Sequence, residues 1–318
     1  MTARQQPYGN TWESEVSDDG EFVRHQTSFR NEIHADGSTD FRPEAGRYHL
    51  YVSLACPWAH RTLITRKLKG LEGTISVDVV HPFLPQSGWS FETGIEGTTG
   101  DTVNQCTGLR DIYYLANPDF EGAITVPVLW DKTNKTIVNN ESAEIIRMLN
   151  AGLNDFAANP QLDLYPADKR SQIDELNEWI YNDINNGVYR CGFATKQPAY
   201  SRAFKKLFTA LNRVEALLGE SRYLTGDEIT EADVRLFTTL VRFDAVYVTH
   251  FKCNHRRIID YPNLWAYTRD IYQLPGVNET VNIEHIKRHY FESHLHINPT
   301  GIVPDGPELD FTTPHGRG

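Results

Sequence analysis

The sequence predicts an α+β protein in two parts: a small domain in the order βαβ–ββα, then a domain made only of helices. Three observations carry this. Between Tyr48 and Leu149, short β-branched and aromatic runs alternate with helical patterns, broken once by a glycine-rich insertion. From Ala167 onward, apolar residues recur only at helical spacing. The 318 residues suffice for two domains with substantial cores.

Met1 to Gly46 is polar but carries Tyr8, Trp12, Phe22, Phe29 and Phe41. These aromatics argue for an extended arm over residues 1–46, lying across the folded body, against the alternative of a disordered tail. Tyr48–Val52 reads as the first strand and Trp58–Lys69 as the first helix. Leu63, Ile64 and Leu68 mark the buried face of that helix; Arg66, Lys67 and Lys69 mark its wet side. Thr74–His81 is a second strand. Residues 82–122 form an insertion with six glycines, one short helix at Leu109–Ala116, and Trp89 beside Gly88. A loop this long in a compact domain is functional or disordered.

Val126–Trp130 is a strand opening on Pro127, a position to which proline is restricted, and a cis Val126–Pro127 bond suits the bend. Thr136–Asn139 is its hairpin partner. Glu141-Ser142 precedes the helix Ala143–Leu149, which closes the first domain, residues 47–152. The second domain, residues 160–318, holds helices at Ala167–Asn186 and Tyr200–Leu218, a third from Ile229 to about Thr249, and two more at Asn263–Tyr272 and Asn282–Tyr290. Thr230 is the N-cap of the third, with Asp233 as a short capping-box acid. Leu295–Pro307 is an irregular tail.

Lys plus Arg is 31 and Asp plus Glu is 42, for a net charge of -11. That argues against a general nucleic-acid or anionic-membrane binder, not against a local basic pocket. Cys56, Cys106, Cys191 and Cys253 are far apart and form neither a metal-ligand pair nor a disulfide scaffold. Reduced thiols in a cytoplasmic protein are the expectation, since neither a signal peptide nor a membrane-spanning run is visible.

The chemistry centres on Cys56-Pro57-Trp58-Ala59-His60-Arg61. Cys56 ends a strand and starts a helix, with Pro57 suited to the first turn. Unpaired N–H groups and the positive helix end face its sulfur, so a thiolate and a depressed thiol pKa are expected. With alanine at 59 there is no C-x-x-C partner to resolve a mixed disulfide. The second thiol must come from outside, and glutathione is the obvious donor. A buried structural cysteine is the bland alternative.

Cys56 at the first helix, Pro127 at the third strand and Glu141-Ser142 at the last helix resemble a thioredoxin-like domain. With the helical domain and its Thr230 capping box, the chain resembles the glutathione transferase superfamily. The strings around Cys56, Thr125–Asp131, Asn140–Arg147, Arg242–Tyr247 and Asn298–Pro304 narrow this to the xi class, the glutathionyl-hydroquinone reductases. The match runs from roughly Phe29 to Pro307, with no departure at the key positions.

The resemblance implies reduction of a glutathionyl-hydroquinone by a second glutathione, giving hydroquinone and glutathione disulfide, with glutathione as co-substrate and no metal. It implies Cys56 as nucleophile, and glutathione bound by Trp89, the backbone of Ala123, Ile124, Thr125 and Val126, and Glu141 with Ser142. Tyr189, Tyr247 and Tyr290 would surround the sulfur and the aromatic substrate; Tyr189, read as lying near the end of the first long helix of the second domain, could supply a proton. A homodimer is implied as well. The residues agree: Val126, extended before Pro127, can pair with the glutathione backbone like an added strand. Ser142 can hold the γ-glutamyl carboxylate and Glu141 its ammonium, although Ser142 could instead merely cap the helix. An omega-type thioltransferase or dehydroascorbate reductase shares the Cys56 logic, and a non-catalytic scaffold is a third reading.

Overall fold

The computed structural model describes residues 16–24 and 26–318; Tyr8 and Trp12, assigned to the arm, lie outside them. Its first domain is built on a four-stranded sheet in the order β2-β1-β3-β4. β1 (Tyr48–Val52) runs parallel to β2 (Ser76–Val79) and antiparallel to β3 (Val128–Asp131), which pairs antiparallel with β4 (Thr136–Asn139). α1 (Pro57–Leu68) joins the parallel pair, α2 (Leu109–Ala116) lies within the insertion against β4, and α3 (Ser142–Arg147) follows β4. This is the expected thioredoxin-like order.

α1 packs on α3 and, across the domain boundary, on α7 (Glu231–Arg242). It is therefore buried almost all round, and the expected wet side is corrected at Lys69, which is only 1 % exposed. Its ammonium donates to Asn154 Oδ1 and the Leu162 carbonyl, so the long stem is buried and the charge still satisfied.

The insertion is ordered by two buried carboxylates. Asp78 accepts from Thr102 N at 2.7 Å and pairs with His49; Asp101 accepts from Tyr51 Oη and from the amides of Val103, Asn104 and Cys106. The insertion meets α9 (Ile283–Ser293) through Pro82, Leu84 and Glu96, which bond His289, Ser293 and His285, with Trp89 7 % exposed and stacked 5.0 Å from His289.

The second domain contains α4 (Arg170–Ile180), α5 (Gly187–Gly192), α6 (Gln197–Leu217), α7, α8 (Pro262–Tyr272) and α9 (Ile283–Ser293). Thr230 N donates to Asp233 Oδ2 at 2.8 Å at the start of α7, as the capping box requires. Two expected helices are shorter than the pattern suggested. α4 gives way to a π-turn at Tyr181–Asn185, and α7 to one at Phe243–Tyr247. Apolar periodicity does not register the one-residue widening that makes a π-turn. Tyr189 consequently lies on its own short helix, α5, rather than near the end of α4. At the close of α5, Gly192 lets the Phe251 ring approach: a Cβ there would come within 2.0 Å of it.

The described arm crosses both domains. Phe22 joins the helical core, while Ile33 and Phe41 join the sheet-domain core. Asn31 N donates to the Val138 carbonyl at 3.0 Å, adding a short extended stretch beside β4. The irregular tail is also fastened down: Phe311 stacks between Trp265 and Tyr272, and Arg317 donates to the carbonyls of Leu218, Ser221 and Arg222.

Candidate active site

Cys56 is the N-cap of α1, with φ -75° and ψ 122°, and is 9 % exposed. Two elements fix it. Pro57 begins the helix behind it, and Arg242 of α7 reaches across the domain boundary to donate to the carbonyls of Ala55 at 2.9 Å and Leu54 at 3.0 Å. The same guanidinium donates to Thr238 O and meets His60 Nδ1, so it is fully engaged. The Cys56 thiol lies 3.6 Å from the Val126 carbonyl and can donate to it. The Val126–Pro127 bond that follows this carbonyl is cis.

The expected depression of the thiol pKa is corrected. Burial pushes the Cys56 thiol up; the amides of Ala59 and Trp58, and the charges of Arg242 and Arg24, pull the other way without overcoming it. The helix N-terminus acts as expected, but desolvation of the anion is larger.

On the polar side, the cap considered for Ser142 falls to Glu141. Glu141 is the N-cap of α3, its carboxylate accepting from Ala143 N at 3.1 Å. Ser142, the first helical residue, is buried, and its hydroxyl accepts from Arg61 at 3.4 Å. Ser142 is therefore not the cap. A cleft of about 340 Å³ opens here, lined among others by Glu141, Ala143, Tyr181, Arg147, Arg61 and Arg235. Arg61 is 1 % exposed and Arg235 9 %, and the Nε atom of each is buried without a partner. Burial, reinforced by the nearby Arg235 charge, brings Arg61 down to about 9; burial also lowers Arg235. Two desolvated guanidiniums with spare donors, beside Glu141 and a Glu144 already held by Arg30, can cradle a carboxylate.

The segment Ala123, Ile124, Thr125 and Val126 ends at Cys56, through the Val126 carbonyl. It is held by Tyr113, whose hydroxyl donates to Thr125 O at 2.8 Å, accepts from Thr125 N and accepts from Asn140 Nδ2. Tyr113 and Asn140, like Arg61, Arg235 and Arg242, were missed from the sequence. Nothing in the local pattern marks them, because their partners are far away in the chain.

On the apolar side, the three tyrosines do meet. Tyr290 Oη lies 2.5 Å from Tyr189 Oη and 3.0 Å from Tyr247 Oη. Phe251 packs against all three rings, and Phe22 and Phe193 flank Tyr189. Burial raises all three phenol pKa values, so each is a neutral donor at neutral pH. Trp89 lies behind this group, against His289, the residue preceding Tyr290. A second groove of about 420 Å³, around Trp179 between α4 and α6, contains none of the expected site residues.

The glutathione S-transferase N-terminal domain matches residues 55–151 and the C-terminal domain matches residues 197–270. The chain is 56 % identical to the glutathionyl-hydroquinone reductase YqjG of Escherichia coli K12, over 97 % of this chain and 95 % of that one. It is 49 % identical to the glutathionyl-hydroquinone reductase PcpF of Sphingobium chlorophenolicum, over 94 % and 93 %. Among solved structures, glutathione-bound YqjG superposes with a TM-score of 0.89 over 94 % of this chain and 97 % of that one, again at 56 % identity. The xi glutathione transferase of Phanerochaete chrysosporium superposes with a TM-score of 0.91, at 52 % identity over 94 % and 96 %. Sheet, helical domain, cysteine-capped helix and sequence identity all agree: the chain belongs to the glutathione transferase superfamily and, within it, to the xi class of glutathionyl-hydroquinone reductases.

Proposed function

We propose that this protein reduces glutathionyl-hydroquinones with glutathione, through a Cys56–glutathione mixed disulfide. One observation carries the reading: a lone thiol with a carboxylate cradle on one side and three converging phenols on the other. Glutathione supplies the zwitterionic end for the cradle, and the aromatic ring matches the tyrosine wall. Ser142 with Arg61 and Arg235 would hold the γ-glutamyl carboxylate, Glu141 the ammonium, and Val126 the cysteinyl backbone. Trp89 would back the cleft wall.

In the first step the Cys56 thiolate attacks the glutathionyl sulfur, forming the S–S bond as the sulfur–carbon bond breaks. The electron pair goes to the ring carbon, an intolerably basic leaving group unless protonated. Tyr189 gives that carbon a proton and becomes a phenolate, with Tyr290 and Tyr247 hydrogen-bonded around it. A second glutathione then attacks the mixed disulfide; its thiol proton restores Tyr189, and glutathione disulfide and the Cys56 thiolate leave the cycle balanced.

The reading extends to a homodimer, motivated by the superfamily and checked by sedimentation at micromolar concentration, where a monomer would refute it. It extends also to a cytoplasmic setting, which the four free cysteines support. The deciding experiment is incubation with glutathionyl-menadione and glutathione, followed by chromatography. Release of the hydroquinone is expected. Turnover of small disulfides alone would make the protein an omega-type thioltransferase instead.

A further inference from the structure

The arm carries a charge to the reactive thiol. Residues 16–24 are fastened to the helical domain at three points: Thr195 N donates to the Gly20 carbonyl at 3.1 Å, Lys196 Nζ to the Asp18 carbonyl at 2.6 Å, and Arg202 pairs with Glu21 at 2.7 Å. Phe22, 3 % exposed, is pressed between the helical domain's rings, 6.1 Å from Tyr189 and 5.3 Å from Phe193. Two residues further on, Arg24 donates from Nε to Asn186 Oδ1 at 3.0 Å. Its guanidinium carbon lies 4.7 Å from the Trp58 ring and 5.1 Å from the Tyr189 ring. Trp58 is two residues from Cys56, and the Arg24 charge acts on both the Cys56 thiol and the Tyr189 phenol.

Other charged and titratable groups face Cys56, and each is committed elsewhere. Arg242 spends its donors on Leu54, Ala55, Thr238 and His60. Arg61 of α1 also lies over the Trp58 ring, at 4.4 Å, with its terminal nitrogens bonded to Ser142 and Asn185. Tyr189 of α5 and Tyr290 of α9 are neutral phenols bonded to one another. Arg24, from outside both domains, is the group placed to act on charge that appears and disappears during turnover. A half-buried guanidinium stacked on two aromatic faces is held in place and partly desolvated, which strengthens its field.

We propose that Arg24 is a positioning residue of the active site, delivered by the arm to stabilise the Cys56 thiolate and the phenolate left on Tyr189 after proton transfer. The phenolate part rests on the reaction proposed above; the thiolate part does not, and the test uses that separation.

The test is the pH dependence of iodoacetamide alkylation of Cys56, read by peptide mass spectrometry so that the other cysteines do not contribute. In Arg24→Met the alkylation midpoint is expected to move up by roughly 0.5–1 pH unit, the scale for a nearby opposite charge reduced by partial exposure. Turnover of glutathionyl-menadione should fall about 10-fold, a modest fraction of a catalytic electrostatic contact. Arg24→Lys keeps the charge and should restore most of the midpoint shift. An unchanged midpoint in Arg24→Met, with or without lost turnover, would make Arg24 a packing residue and overturn the proposal. So would an Arg24→Lys variant whose midpoint matches that of Arg24→Met. If glutathionyl-menadione proves not to be a substrate, the alkylation arm still decides the role of Arg24 at the thiol.

Discussion

On one side, a cleft of about 340 Å³ is lined by Glu141, Arg61 and Arg235 among others, with Ser142 hydrogen-bonded to Arg61. On the other lie Tyr189, Tyr247 and Tyr290, all buried and joined through their hydroxyls. The polar side suits recognition by charge and directed donors, and such a site strongly rejects a ligand lacking the matching group. The aromatic side suits recognition by ring faces and a proton, which discriminates weakly among rings of similar size. A fixed thiol donor paired with a variable aromatic is the consequence, and each half can be broken separately.

The largest effect is at the point the two sides share. Cys56→Ala should abolish turnover, to below about one part in 10⁴, while glutathione still binds measurably by calorimetry; full activity in that variant would sink the mechanism. Tyr189→Phe should slow hydroquinone release by about 10²–10⁴-fold yet spare glutathionyl-mercaptoethanol, whose thiolate leaves without a proton on carbon. Equal fractional loss on both substrates would refute Tyr189 as the acid.

On the polar side, Arg235→Leu should raise KM for glutathione by about 10- to 100-fold, the range for a charged hydrogen bond, and leave kcat within about twofold. The melting temperature of the ligand-free protein should change little, because burial disfavours this charge while Glu231, 3.7 Å away, favours it. A lower melting temperature with unchanged KM would mean that Arg235 is only structural.

The pH profile follows from the raised thiol and phenol pKa values. Below the ordinary thiol value of about 8.5, thiolate grows about tenfold per pH unit while Tyr189 keeps its proton. Accordingly kcat/KM for the glutathionylated substrate should climb from pH 6 to 8 with no descending limb there; a plateau below pH 7 would contradict the raised thiol. The smallest effect expected is Tyr113→Phe, which removes the hydroxyl's bonds to Thr125 O, Thr125 N and Asn140; the part felt at the ligand-facing segment is about 1 kcal/mol, for roughly a fivefold rise in KM.

Local signals in the sequence were enough to find Cys56, Pro127 and the Thr230 cap, because each depends on neighbours within a few residues. They were enough to place the strands and most helix starts for the same reason. Three things were out of reach. The π-turns after α4 and α7 preserve apolar spacing while redirecting the chain, so Asn185 was hidden, though its side chain links Arg61 to Thr239 and the Arg235 carbonyl. The direction of the Cys56 shift depends on how deeply the helical domain buries the thiol, and helix-start chemistry alone cannot supply that. Arg235 and Arg242 read as the polar residues of an amphipathic helix, yet α7 is buried along its whole length.

The arm also orders events in time. Gly20, Phe22 and Arg24 leave the ribosome first, but their partners at Asn186, Tyr189, Thr195 and Arg202 follow some 160–180 residues later. The stretch that docks beside β4 waits about 108 residues for Val138 and Asn139. Contacts so distant in sequence form late, after the loops they close have been organised by nearer ones. The sheet domain can therefore collapse during synthesis with Cys56 already at its helix start, while residues 16–24, made earlier, settle last. Competence at the thiol then arrives in one late step, when a finished helical domain offers the arm its seat, and a chain stopped short of that domain holds the nucleophile without its complete surroundings.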